Sequence, residues 1–286
     1  MKPLFIDLTT LAKLNVSSAV SITALVGFIV STGKLTTDSI PLVTGTFLMA
    51  AGASALNHVA ERSTDSQMER TKKRPVASKR IGLLQAITIS SAWLGLGWVL
   101  LYFYFSPIVP LLGLTNAFWY IAIYTPLKRV TPWALFAGTL TGVIPFFMGF
   151  LAFNTHITPL AIFTAFFLLI WQIPHFLIIL TKYAHEYSSA NLKPITEQIR
   201  VERINRIIYI WLIACSISTL LIPINGLHKH TFVPIIYSAM AAISIVILVS
   251  VMLKPTQEPI PAKGLSILTH SLQVIFLATL VLDSLL

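Results

Sequence analysis

Long apolar runs alternate with short polar gaps along the whole chain. Nine runs are long enough, or nearly so, to cross ~30 Å of hydrocarbon, which takes about 20 helical residues. They lie at roughly Leu14–Ser31, Ile40–Ala60, Ile81–Phe105, Ile108–Tyr124, Trp133–Phe153, Pro159–Leu180, Ile207–Ile222, Phe232–Leu253 and Leu265–Leu285. The connections are short, and Gly33, Pro107, Pro132, Pro194, Gly226 and Pro255 punctuate most of them. A backbone that crosses lipid must satisfy its own hydrogen bonds, so each run reads as a helix. The pattern predicts an all-α, polytopic integral membrane protein of nine transmembrane helices. Residues 1–286 read as a single membrane-embedded domain, with no soluble domain, low-complexity tract or clear short repeat. The first run follows Lys2 and Lys13, as a signal peptide would. Its Ser and Thr content and the lack of a small-residue cleavage site favour a retained span.

Composition agrees. The 286 residues are 56% hydrophobic and only 10% charged, against about 25% charged in soluble domains. The mean hydropathy is +0.81. A net charge of +10 can signal nucleic acid, but such binders are polar and this chain is not, so that class is excluded. The single cysteine, Cys215, lies in an apolar run and reads as a packing residue.

The basic residues have a second use. With the N-terminus inside, the inner segments hold nearly all Lys and Arg, including Lys2, Lys13, Arg62, the run to Arg80, Lys128, Arg129, Lys182 to Arg206, Lys254 and Lys263. Only Lys34 and Lys229 fall outside. This is the positive-inside bias expected of a correctly counted set of spans. It predicts a cytoplasmic N-terminus and an outside C-terminus.

The densest run of charge, NHVAERSTDSQMERTKKRP from Asn57 to Pro75, follows the second span on the inner side. Asn57, Glu61 and Asp65 are four residues apart, which keeps three oxygen ligands on one helical stripe. Hard oxygens at the mouth of a bundle suit Mg²⁺, which is commonly held by one or two carboxylates plus substrate phosphates. Arg70, Lys72, Lys73 and Arg74 follow at once, so bases for a diphosphate stand beside acids for a metal. The plainer reading is a topology signal with lipid-headgroup contacts. A second cluster, WQIPHFLIILTKYAHEYSSANLKP from Trp171 to Pro194, lies at the inner end of the sixth span with Lys182, His185 and Glu186. A third, YTPLKR from Tyr124 to Arg129, lies on the same face. Ionisable groups that face the interior of a membrane bundle are functional candidates.

On these motifs the chain resembles the UbiA superfamily of intramembrane prenyltransferases. The Asn57, Glu61 and Asp65 set is similar to the family's Asn-x-x-x-Asp-x-x-x-Asp signature. MERTKKRP (Met68 to Pro75), YTPLKR, AGTLTGVIPFFMGF (Ala137 to Phe150) and WQIPHF (Trp171 to Phe176) resemble its heme-directed branch. The chain departs from the family pattern at four positions. Glu61 and Glu186 stand where Asp is usual, on a longer and more mobile arm. Ser63 replaces a common Asp, and Tyr183 a usual Arg.

The resemblance implies a UbiA-type bundle and transfer of a farnesyl group from farnesyl diphosphate to a vinyl group of heme B, with addition of water, to give heme O. It implies Mg²⁺ on Asn57, Glu61, Asp65 and Glu186, and diphosphate on Arg70, Lys72, Arg74, Tyr124, Lys128 and Lys182. The lipid bilayer is the surrounding solvent, and heme-handling or oxidase-assembly proteins are implied partners. His175, after Pro174, is a candidate heme contact, with a buried hydrogen-bonded histidine as the simpler reading. His58 and His185 flank acidic positions and read as surface or supporting groups, and His270 as a packing residue. Met68 reads as packing, and Trp119 and Trp133 as interfacial anchors. Two alternatives are weighed: a prenyltransferase acting on an aromatic quinone precursor, and a non-catalytic heme- or lipid-binding membrane protein. The absence of Asp, Glu, Lys or Arg from mid-span argues against a transporter.

Overall fold

The computed structural model describes residues 2–189, 192–193, 195–253 and 262–286. Pro194, Lys254 and Pro255 lie outside the described residues. The chain starts with α1 (Lys2–Leu11), α2 (Leu14–Thr32) and α3 (Ser39–Ala60), then a single turn, α4 (Arg62–Asp65). Next come α5 (Leu83–Tyr104), α6 (Ile108–Phe118), a π-helical segment (Trp119–Tyr124) and α7 (Thr125–Val130). They are followed by α8 (Ala134–Phe150), α9 (Pro159–Lys182), the short α10 (Ala184–Ser189) and α11 (Val201–Ser218). The turn α12 (Leu221–Ile224), α13 (Phe232–Met252) and α14 (Ala262–Leu285) complete it.

All nine apolar runs are helical. Eight helices among the described residues are long and apolar enough to cross a membrane. The run expected at Trp133–Phe153 is α8, a 17-residue helix that falls just short. α2, α6 and α9 pack against it. The fourth run extends beyond the expected Tyr124, through the π segment to Val130. Pro126 has no N–H to donate one turn back. A wider turn before it tolerates this, with the Thr125 N–H bonded to the Tyr120 carbonyl.

The helices close into a ring. α3 packs on α5 and α2, α2 on α8, α8 on α9 and α6, α9 on α11 and α14, and α14 returns to α2. Lipid offers no hydrophobic drive between helices, so small residues and close backbone contact must hold them. At the α2–α8 crossing, a Cβ on Gly27 would overlap the Phe146 carbonyl, and one on Gly149 the Ala24 carbonyl. One apolar core joins α8, α9, α11, α13 and α14 around Phe146, Phe167, Tyr237 and Phe276. A second joins α2, α3, α5, α6 and α8 around Phe28, Leu42 and Leu101. Large apolar side chains such as Phe103, Phe118, Ile235 and Val246 point outward, as lipid demands.

The two ends of the ring differ. Lys34 follows Gly33 at one end, where Lys229 Nζ donates to the Ser284 carbonyl at 3.0 Å and Asp283 accepts from the Lys229 and His230 N–H groups. The other clusters of Lys, Arg, Asp and Glu gather at the opposite end, around Lys13.

Candidate active site

The ring encloses a cavity of about 560 Å³. Its walls are mostly apolar, from Val16, Ala19 and Val20 of α2, Met49, Ala50 and Ala53 of α3, and Leu168 and Phe176 of α9. Its mouth is charged: Lys13, Asn57, Glu61, Asp65, Arg70, Arg74 and Lys128 all line it. The space suits a long apolar tail under an ionic head.

The expected stripe survives the end of α3. The Glu61 N–H bonds to the Asn57 carbonyl at 2.9 Å, and the Asp65 N–H to the Glu61 carbonyl at 2.8 Å. The four-residue step therefore continues through α4, and all three side chains are buried, at 1%, 4% and 1% exposure. Each is paired with a cation. Asn57 Oδ1 accepts from Lys13 Nζ at 2.5 Å, and Asn57 Nδ2 donates to Thr125 Oγ1 at 3.1 Å. Glu61 pairs with Lys128, with Arg74 at 3.9 Å. Asp65 takes both its hydrogen bonds from Arg74 Nη1, each at 2.8 Å. Ser63, between them, is exposed to solvent.

Lys13 is a residue that sequence reasoning used only for topology. It sits in the turn between α1 and α2 with a left-handed backbone (φ 45°). That turn aims Nζ at Asn57 and at the Tyr120 hydroxyl, 3.0 Å away. The π segment puts Tyr120 and Tyr124 on the cavity wall with their rings stacked at 5.9 Å. π turns are often found at functional sites. Lys128 lies 5.7 Å from the centre of the Tyr124 ring, and Tyr124 packs on Phe176 of α9.

The second cluster meets the first at the rim. Glu186 Oε2 accepts the Arg70 backbone N–H at 2.9 Å. The Arg70 guanidinium lies 4.8 Å over the Tyr183 ring, so the Tyr at the usual Arg position receives a cation instead of repelling one. Met68 packs against Leu192 and Tyr187. Burial raises the Tyr187 phenol above its ordinary pKa, so it stays a neutral donor beside the mouth. Lys72 is exposed and paired with Glu69 at 2.6 Å. The cavity wall does not include Lys72, Lys182 or Glu186.

The histidines divide. His185 is exposed, as expected. His58 is not at the surface: it is buried to 1% exposure, with neither ring nitrogen hydrogen-bonded among the described residues. His175 lines the cavity, stacked on Trp171. His270 is not packed away: it is exposed and lines the same cavity. Nothing in its local sequence distinguishes it from a packing residue. Cys215 is buried, and Trp119 donates to the Ala137 carbonyl at 2.8 Å instead of standing free as an anchor.

Among the described residues, no three His, Cys, Asp or Glu side chains form a metal cage. That fits Mg²⁺, which keeps waters and takes part of its shell from substrate phosphate. Asn57, Glu61 and Asp65 offer only hard oxygens, beside cations that can turn to phosphate.

The family model described as the UbiA prenyltransferase family matches residues 20–272. The chain is 35% identical to the protoheme IX farnesyltransferase of Geobacter sulfurreducens, over 66% of this chain and 70% of that one. It is 30% identical to the protoheme IX farnesyltransferase of Flavobacterium johnsoniae, over 97% and 95%. Among solved structures, the fold is similar to that of digeranylgeranylglyceryl phosphate synthase, with TM-score 0.78, 16% identity and coverage of 100% and 99%. It is also similar to a UbiA homolog from Archaeoglobus fulgidus bound to GPP and Mg²⁺, with TM-score 0.71, 12% identity and coverage of 96% and 99%.

Proposed function

The chain belongs to the UbiA prenyltransferase family, and from that premise we propose that it transfers the farnesyl group of farnesyl diphosphate, with water, to a vinyl group of heme B. The products are heme O and diphosphate. The observation that carries the reading is a cavity with apolar walls and one charged mouth, where oxygen donors and cations alternate. Curated relatives named for this reaction cover most of the chain.

In this reading Asn57, Glu61 and Asp65 would hold Mg²⁺, which would supply positive charge for the diphosphate as it leaves. Glu186, expected as a fourth metal ligand, instead accepts from the Arg70 N–H outside the cavity wall, and in this reading it acts at the rim by fixing the Arg70 backbone. The cations on these three side chains, Arg74, Lys128 and Lys13, turn toward the phosphates, with Arg70 beside them. Lys72 and Lys182 stand outside the wall and draw the anion in. Charge that develops on the leaving oxygen meets groups already in place, the largest usual lever in such chemistry. The Tyr120 and Tyr124 faces, just below the mouth, stabilise the allylic carbon as its bond to oxygen breaks. The apolar wall keeps stray water from it. The farnesyl carbon bonds to the terminal vinyl carbon. The water oxygen bonds to the inner vinyl carbon and loses a proton. His175 is the proposed acceptor contact.

The protein is an integral membrane protein. Its Lys and Arg distribution supports the N-terminus and the mouth inside and the C-terminus outside, and curated bacterial relatives support placing it in a bacterial cytoplasmic membrane. Residues 1–286 act as one domain, and a heme-handling or oxidase-assembly protein would supply the acceptor or receive the product. The test is purified protein in lipid with heme B, farnesyl diphosphate and Mg²⁺. A heme product heavier by farnesyl plus water, lost on chelation, is expected. Product from an aromatic quinone precursor, and none from heme, would overturn the choice of acceptor.

A further inference from the structure

One pair of side chains in the cavity has no use in the metal–diphosphate chemistry. His175 of α9 and His270 of α14 face each other with ring centres 5.2 Å apart and planes at 80°. Trp171 braces both, stacked on His175 at 5.0 Å and edge-on to His270 at 5.8 Å. The Trp171 indole N–H also donates to the Thr269 carbonyl at 2.6 Å, which pins α14 one residue before His270. The pair is built into the wall.

His270 has a fixed tautomer. Its Nδ1 lies 2.6 Å from the Ser266 carbonyl oxygen. A carbonyl can only accept, so Nδ1 carries the proton and Nε2 keeps its lone pair. No protein group among the described residues bonds Nε2. His270 is exposed and lines the cavity, so this nitrogen is open to a ligand there. An imidazole whose one N–H is held by a backbone carbonyl, and whose other nitrogen is free, is the arrangement of a metal ligand.

Depth fits the acceptor. His270 is eight residues into α14, and His175 seven from the end of α9. At 1.5 Å per residue both lie ~10–12 Å inside their inner helix ends. Asn57 is three residues from the end of α3, hence ~5 Å in. Counted from their helix ends, the imidazoles lie ~6–7 Å deeper than Asn57, about the length of a diphosphate, where a bound prenyl carbon would lie.

We propose that His270 Nε2 is the axial ligand of the iron in the porphyrin acceptor, with Trp171 and His175 bracing the imidazole beside it. This rests on heme as the acceptor. Ligation would fix the macrocycle in the plane and depth that present its vinyl edge to the prenyl carbon. His270 is thus a positioning residue, acting through iron that belongs to the substrate.

The test titrates full-length protein in lipid nanodiscs with iron protoporphyrin and with metal-free protoporphyrin, read by absorption spectrum. Wild type should give the spectrum of a histidine-ligated heme. His270→Ala should lose that signature and weaken iron-porphyrin binding about ten-fold or more, since even a supporting partner is worth that to a metal site. Metal-free protoporphyrin should bind wild type and variant alike, which also shows the variant is folded. Added imidazole should restore the spectrum, and His270→Met should give a thioether-ligated one. An unchanged spectrum in both variants, or equal loss of the metal-free porphyrin, would overturn the proposal. If wild type makes the farnesylated heme but either result occurs, only the iron ligand is wrong. If wild type neither binds nor converts heme, the acceptor assignment falls first and this proposal with it.

Discussion

The Glu61–Lys128 pair separates holding the fold from doing the chemistry. Glu61 is nearly buried, and its partners are Lys128 and, at 3.9 Å, Arg74. Lys128→Met removes the nearer cation and leaves a buried carboxylate. Breaking such a pair on one side costs about 3–5 kcal/mol. Arg74 remains, and a unit charge at 3.9 Å attracts by about 4 kcal/mol at an effective dielectric of about 20. That residual attraction holds the loss to the lower end, about 3 kcal/mol. At about 2 °C per kcal/mol for a chain this long, Tm should fall by about 6 °C. The double variant Glu61→Gln with Lys128→Met has no orphan charge and should recover to within about 1 kcal/mol of wild type. Its activity should not recover: turnover should stay down by about 10²-fold or more, as for other lost charge-stabilising groups. The assay is Tm by intrinsic fluorescence in one detergent, with product mass from heme B and farnesyl diphosphate. A double variant that regains both stability and turnover would show the pair to be purely structural and would refute its place at the diphosphate.

Other outcomes follow from the same geometry. Asn57→Ala removes a hard oxygen and the acceptor of Lys13, so the Mg²⁺ concentration for half-maximal turnover should rise about ten-fold, and no change would remove Asn57 from the metal site. Gly149→Ala drives a methyl into the Ala24 backbone, and overpacking of this kind costs about 1–3 kcal/mol. Its Tm should drop by several degrees, and an unchanged Tm would contradict the close α2–α8 crossing. Asp7→Asn weakens a pair in which Arg80 bonds both oxygens of the buried Asp7, so stability should fall by about 1.5–3 kcal/mol, as for other hydrogen bonds to charged groups. Turnover should be unchanged, and a large loss would place α1 nearer the reaction than its contacts suggest.

The sequence by itself determined the membrane class, the helical runs and the end of the bundle that carries the charge. Those follow from properties local to each segment: apolar length, the cost of an unpaired backbone in lipid, and the side on which Lys and Arg fall. It also determined the Asn57, Glu61 and Asp65 stripe, because a four-residue step is a local geometric fact that outlasts the end of α3. Three features were decided only by tertiary structure. Lys13 became a partner of Asn57 because a left-handed turn aims it across to α3 and the π segment. α8 is shorter than its apolar run, and α2, α6 and α9 pack against it. His270 lines the cavity where packing was expected, and His58 is buried next to Asn57, a supporting position and not a surface one. A lone histidine in an apolar helix carries no local sign of which face will meet a cavity. That depends on which helices close around it, here on Trp171 of α9 holding α14 at Thr269 while the ring shuts against α2.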